Sequence, residues 1–198
     1  MAGVGVAVID SGVHPGHPHV ERVTAGRCFV PGLAVEDYRD ALGHGTAVAG
    51  AIRERAPMAE LYVARVFHRR LVTSIEILLA ALDWALEQPV LLVNLSLATA
   101  NPAHEAAFLE RVERAAVLGI RIVSPAEGLP GRLPGVVGVR MDDSVDPYQM
   151  GPGYTACGWP RPIPGLPRER NLHGVSFAVA NVTGCLARDL AMPTWGGE

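Results

Sequence analysis

The chain has 198 residues, 49% of them hydrophobic, which suffices for one α/β core and is short for two. Its 17 basic residues, all arginine, and 20 acidic ones leave a net charge of -3, so neither a phosphate backbone nor an anionic membrane finds an electrostatic footing, and no nucleic-acid or membrane partner is expected. Cys28, Cys157 and Cys185 are odd in number and too few for a disulfide framework, the start MAGVGVAVIDSG does not read as a signal peptide, and no apolar run reaches membrane-spanning length, so a cytoplasmic location is expected.

Residues 4–9 form a short β-branched apolar run that predicts a strand with Asp10 at its carboxyl end. Gly3 and Gly5 precede that strand instead of following it, so they do not make a dinucleotide loop. The next segment carries His14, His17 and His19, but Pro15 and Pro18 restrict their approach to one another, and no metal or other cofactor is expected. His44 opens a helix whose small residues Ala47, Ala49 and Gly50 permit close packing on a sheet. Residues 61–66 predict a second strand, and Thr73 with Glu76 makes a capping box for a helix presenting Ile75, Leu78, Leu79, Leu82 and Leu86.

Residues 90–95 predict a third strand; Asn101 and Pro102 suit the Ncap and N1 positions of a helix presenting Phe108, Val112 and Ala115 and stopping at Gly119. Two further strands fall at 120–123 and 136–139, and residues 151–170, rich in proline and glycine, read as a long ordered loop. Ser176 then stands at the start of a final helix. Strands alternating with helices require crossovers, so the expected fold is a single α/β domain over 1–198, a doubly wound, mainly parallel sheet with helices on both faces. Ligands in such sheets bind beyond the carboxyl ends of the strands.

Three segments, VAVIDSGVHPGHPHV, GHGTAVAGAI and GVSFAVANVTG, resemble the aspartate, histidine and serine motifs of the subtilisin-like serine proteases, the subtilases, in that family's chain order. Weaker echoes, APMAELYVARVF, LLVNLSLA and YTACG, fill the intervals, so the resemblance covers most of the chain. It implies a subtilisin-like core with Asp10, His44 and Ser176 as a catalytic triad. Serine needs a base, and the imidazole needs a carboxylate to fix its tautomer. The resemblance further implies that Ser96, Leu97 and Ala98 pair with extended substrate, while Ser124, Pro125 and Ala126 border the primary pocket, which their size suggests is open unless the loop 151–170 closes it.

The sequence departs from the family where an asparagine normally donates to the oxyanion. The stretch reads GIRIVSPAEGLPG, and that place falls to Glu127 or Gly128. In the serine motif, Phe177 and Val179 are bulkier than usual, Ala180 replaces proline and Asn181 replaces histidine, changes expected to affect packing more than chemistry. The expected function is a specific serine endopeptidase acting on a peptide or protein, in a role such as peptide maturation, with a protein partner or precursor as one way of completing the oxyanion site. The alternative is an impaired, subtilase-like module that binds a peptide or regulates a partner protease.

Overall fold

The computed structural model describes residues 3–192. Seven strands, β1 (Gly5–Asp10), β2 (Ala25–Cys28), β3 (Glu60–Arg65), β4 (Leu92–Leu95), β5 (Arg121–Pro125), β6 (Val137–Met141) and β7 (Thr155–Ala156), form one sheet in the order β2-β3-β1-β4-β5-β6-β7. All these pairs are parallel. The chain builds outward from β1 to β3 and β2, then returns to add β4 on the other side. The order therefore reverses between β1 and β4, and the crevice beyond such a switch point is where open α/β sheets hold ligands. Asp10 ends β1, and Ser96 follows β4 directly.

Strand residues alternate between two cores. Val6, Val8 and Val123 face one core with α1 (His44–Arg55) and α4 (Val175–Ala191), whereas Ala7, Ile9 and Ile122 face the other with α2 (Ile75–Leu86) and α3 (Glu105–Val117). Both faces of the central strands are covered, which explains their continuous apolar runs. All five expected strands begin and end within two residues of their predicted limits, 90–95 narrowing to Leu92–Leu95. Strand β2 escaped the sequence reading because AGRC is an edge strand with only Cys28 buried, so it carries no apolar run.

The helix starts show one agreement and one correction. Asn101 Oδ1 accepts from Ala103 N at 3.1 Å as expected of an Ncap, although the first turn is 3-10 before α3 proper. On α2, however, Ser74 and not Thr73 caps the helix: it has extended backbone and its hydroxyl accepts from Ile77 N at 3.4 Å. A capping residue must itself stand outside the helix with its oxygen over the first-turn amides, which Ser74 does. Residues 151–170 are irregular apart from β7 and a 3-10 turn at Arg168–Arg170. Among the described residues no helix is long and apolar enough to cross a membrane.

Candidate active site

His44 enters α1 at the carboxyl end of β1, and its Nδ1 lies 2.7 Å from Asp10 Oδ1. The carboxylate is 1% exposed and the imidazole 15%. Asp10 Oδ1 also accepts from Ser11 N at 2.7 Å, so the carboxylate cannot swing away from the ring without losing a second bond. The approach depends on two glycines. A Cβ on Gly45 would sit 2.1 Å from Gly12 O and 3.2 Å from Asp10 Cβ, and Gly12, at φ 92°, would place a Cβ 2.3 Å from Tyr38 O. Burial works against the charged form of His44, but the hydrogen bond and negative charge of Asp10, assisted by Asp40, outweigh it and hold the imidazole pKa above its ordinary value.

Asp40, which the sequence reading did not single out, organises this helix start. Its Oδ1 accepts from Ser11 Oγ (2.9 Å), Leu42 N (2.8 Å) and Gly43 N (2.9 Å), and its Oδ2 accepts from Thr46 N (2.9 Å) and Thr46 Oγ1 (2.6 Å). It thus captures the amides that the first turn of α1 leaves without partners, from a position four residues before His44. Ser11 Oγ in turn accepts from Gly45 N at 2.9 Å, tying the loop after β1 to the same turn.

Ser176 is the second residue of α4, within the first turn where backbone N–H groups have no acceptor in the helix. Its hydroxyl donates to Ser96 O at 3.1 Å, while Ser96 Oγ donates to Ser176 O at 3.3 Å. Asn94, wholly buried in β4, donates through Nδ2 to Ser96 Oγ at 2.8 Å and accepts at Oδ1 from Thr183 Oγ1 at 3.0 Å. The nucleophile candidate is therefore fixed by β4 from two directions. The Phe177 ring packs against His44 at 5.3 Å between centroids, so α1 and α4 meet at His44 and the residue after Ser176.

On the opposite wall, residues 124–129 lie against the edge formed by residues 96–99. Ser124 is wholly buried and its hydroxyl donates to Leu97 O at 3.3 Å; Pro125 is buried, Ala126 half-buried. Leu129 and Thr99 exchange two backbone bonds of 2.8 and 3.0 Å, and a Cβ on Gly128 would lie 2.8 Å from that of Ala98. The two edges touch along their length, since Ser, Ala and Gly keep neither wall apart. Glu127 is exposed and makes no side-chain hydrogen bond among the described residues, and Gly128 has no side chain to donate. The loop 151–170 lies elsewhere, against the segment after β1 and against Glu54 and Arg55 on α1.

Asn181 donates to Cys157 O (2.8 Å) and Trp159 O (3.0 Å), tying α4 to the segment after β7 in agreement with a packing role. A second Asp–His pair, unforeseen in sequence, joins Asp143 Oδ2 to His173 Nε2 at 2.8 Å, and Asp143 Oδ1 accepts from Gly158 N at 2.8 Å. That amide bond, then the His173 bond and charge, hold the Asp143 pKa down against the opposing effect of burial. The pair anchors the chain three residues before Ser176.

A buried carboxylate on an imidazole at the end of a parallel strand, with a serine at the start of another helix, is the set of residue types that acyl transfer uses. The Subtilase family model matches residues 1–128, a stretch that holds Asp10 and His44. Curated relatives extend the match through Ser176: Subtilisin E of Bacillus subtilis (strain 168) is 27% identical over 223 residues, covering 97% of this chain and 57% of its own length. Subtilisin Savinase of Lederbergia lenta is 30% identical over 210 residues, covering 94% of this chain and 76% of its own. The solved structure of a cold-adapted subtilisin-like serine proteinase superposes with a TM-score of 0.74 at 22% identity, over 95% of this chain and 75% of that one, a likeness of fold. This chain belongs to the subtilase family. It spans little more than half the length of the Bacillus subtilis relative.

Proposed function

We propose that the chain is a serine endopeptidase in which Asp10, His44 and Ser176 act as the triad. The observation that carries this reading is the 2.7 Å contact of His44 Nδ1 with a 1%-exposed Asp10 carboxylate. Asp10 holds the ring with its proton on Nδ1, which leaves Nε2 free to take the Ser176 proton. Ser176 gives up its bond to Ser96 O, turns to Nε2 and attacks the substrate carbonyl; His44 returns the proton to the leaving amine, and water then releases the acyl group by the same route in reverse.

The Ser176 N–H and the amino end of α4 face the developing negative charge. With Glu127 exposed and Gly128 lacking a side chain, the second oxyanion donor comes from the bound substrate, a precursor or a protein partner. That requirement favours one specific peptide or protein over general proteolysis, as in peptide maturation. Free, buried cysteines at 28, 157 and 185 accord with a reducing, cytoplasmic setting.

A second reading has its own support, because the Ser176 hydroxyl bonds Ser96 O and not His44: the chain would hold a peptide without cutting it. A fluorophosphonate probe separates the two. The protease reading expects covalent labelling on Ser176, lost in His44→Ala; a folded protein that stays unlabelled with and without a candidate peptide supports the binding module instead.

A further inference from the structure

A cavity of about 500 Å³ opens between the loop after β1 and residues 160–172. Gly43, next to His44, lines it, as does Leu172, four residues before Ser176. A second cavity, of about 290 Å³, is bordered by Leu97, Ala98 and Thr99, and the two share no lining residue. Gly43, in the first cavity, precedes His44, and Leu97, in the second, follows Ser96, which bonds Ser176, so the first cavity lies toward the histidine and the second toward the serine. In acyl transfer the leaving amine takes its proton from the histidine, so the larger cavity adjoins the leaving-group half of a bound peptide.

The charge of this cavity is one-sided. Arg161 and Arg170 line it, and neither forms a salt bridge among the described residues. His14, His17 and His19 line the facing wall, with ring centroids 6.4 and 5.1 Å apart in succession. His17 Nδ1 accepts from His19 N at 3.2 Å, which puts the proton of the neutral ring on Nε2 as a donor. The lining carboxylate, Asp40, already receives five hydrogen bonds at the start of α1. Glu54, which acts on His19 but does not line the cavity, is held by Arg55 and the Tyr148 hydroxyl. Burial, then Arg161 and His17, depress the His19 pKa against the opposing charge of Glu54. Ile163, Leu166 and Ala47 supply an apolar wall.

We infer that this cavity receives an aspartate or glutamate side chain of the substrate, located within the first few residues after the cleaved bond, with its carboxylate on Arg161 and Arg170 and its stem on Ile163 and Leu166. The inference rests on the protease reading and names its substrate class: peptides acidic on the leaving-group side. A chain of net charge -3 gives no general attraction for acidic peptides, so the preference is local and screened by salt.

The test uses internally quenched, C-terminally amidated peptides in pairs that differ only by Glu for Gln at each of the first three leaving-group positions. At least one pair is expected to show about tenfold higher kcat/KM for the Glu member, an advantage that shrinks at high salt and falls toward unity in Arg161→Ala/Arg170→Ala. Because the readout is a ratio within one protein, a variant of lower overall activity still reports it. Equal rates for every Glu/Gln pair, or a preference intact in the double variant, overturn the inference; so does a preference seen only when the amide is replaced by a free C-terminal carboxylate. If Ser176 takes no fluorophosphonate, the protease reading fails separately. Anisotropy with the same peptides, labelled with fluorescein, on Ser176→Ala protein then decides the cavity: about tenfold tighter binding of a Glu member supports it, and equal binding overturns it.

Discussion

Around His44 the polar atoms are densely engaged: Asp10 bonds the ring and Ser11 N, Asp40 collects five donors, and Ser11 Oγ takes the amide of Gly45. Around residues 124–128 the contrast is plain, since one hydroxyl points back into the protein, one carboxylate points to solvent and the rest lack polar side chains. The first region lies within some forty consecutive residues and carries its own bonding partners. The second is assembled from β4, β5 and α4 and offers chiefly backbone. On the protease reading, the Asp10–His44 pair therefore keeps its own internal support while the groups that stabilise the oxyanion are delegated to a ligand, because the pair and the oxyanion site are held by different elements.

Asp10→Asn is the strongest way to break the supported half. It leaves the shape intact but favours the wrong imidazole tautomer, and turnover is expected to fall about 10⁴-fold, read by steady-state cleavage of a peptide substrate. A loss below tenfold would detach this pair from catalysis. Gly45→Ala tests the support through packing: the new Cβ meets Gly12 O, crowds the Asp10 carboxylate and lifts α1 from Asp10, with an expected loss of about 100-fold in kcat/KM. Full activity there would mean that the helix start yields easily.

Asp40→Asn removes a charge and the ability to accept from every donor, and should lower stability by about 1–3 kcal/mol in denaturant titration. It also lowers the pH midpoint of activity. The sign follows from His44: its folded pKa is raised, so the ring's contribution to stability is fully present below the ordinary value of 6.5 and is lost as pH rises through the raised one. Catalysis needs the neutral ring and runs the opposite way, appearing as pH climbs through a midpoint above 6.5. A midpoint unmoved by Asp40→Asn would deny its part in that shift.

The smallest effect is expected in the bare half. Glu127→Ala should leave turnover unchanged within about twofold, against about 100- to 1,000-fold for a side chain that supplied an oxyanion donor. A large loss would show that Glu127 turns inward once substrate is bound.

The same contrast governs what the sequence could reveal. Asp10 and His44 were legible because strand, turn and helix start are contiguous and each residue type is dictated by its neighbours. Asp40 carried a signal that went unused, an aspartate four residues before a histidine that opens a helix. The central strands announced themselves by apolar runs, whereas the edge strand β2 had none to show. The closure of the Ser96–Thr99 edge onto 124–129 was illegible, because small residues permit either an open slot or direct contact and only the Thr99–Leu129 pairing decides between them. The cavity beneath residues 160–172 was hidden for a similar reason: its walls lie more than a hundred residues apart in sequence.

Helix α4 buries the small residues Ala178, Ala180, Gly184 and Ala187 among the larger Phe177, Val179, Val182 and Leu186, and such apolar contacts are non-directional, so they do little by themselves to forbid a slide along its neighbours. The bond from Thr183 to Asn94, with those of Asn181 to Cys157 and Trp159, forbids that slide, since any other phase would leave wholly buried amides without their partners. Asn94 is in this sense a detent: it adds little holding force but selects one position, and the position it selects is the one that brings Ser176 to the end of β4.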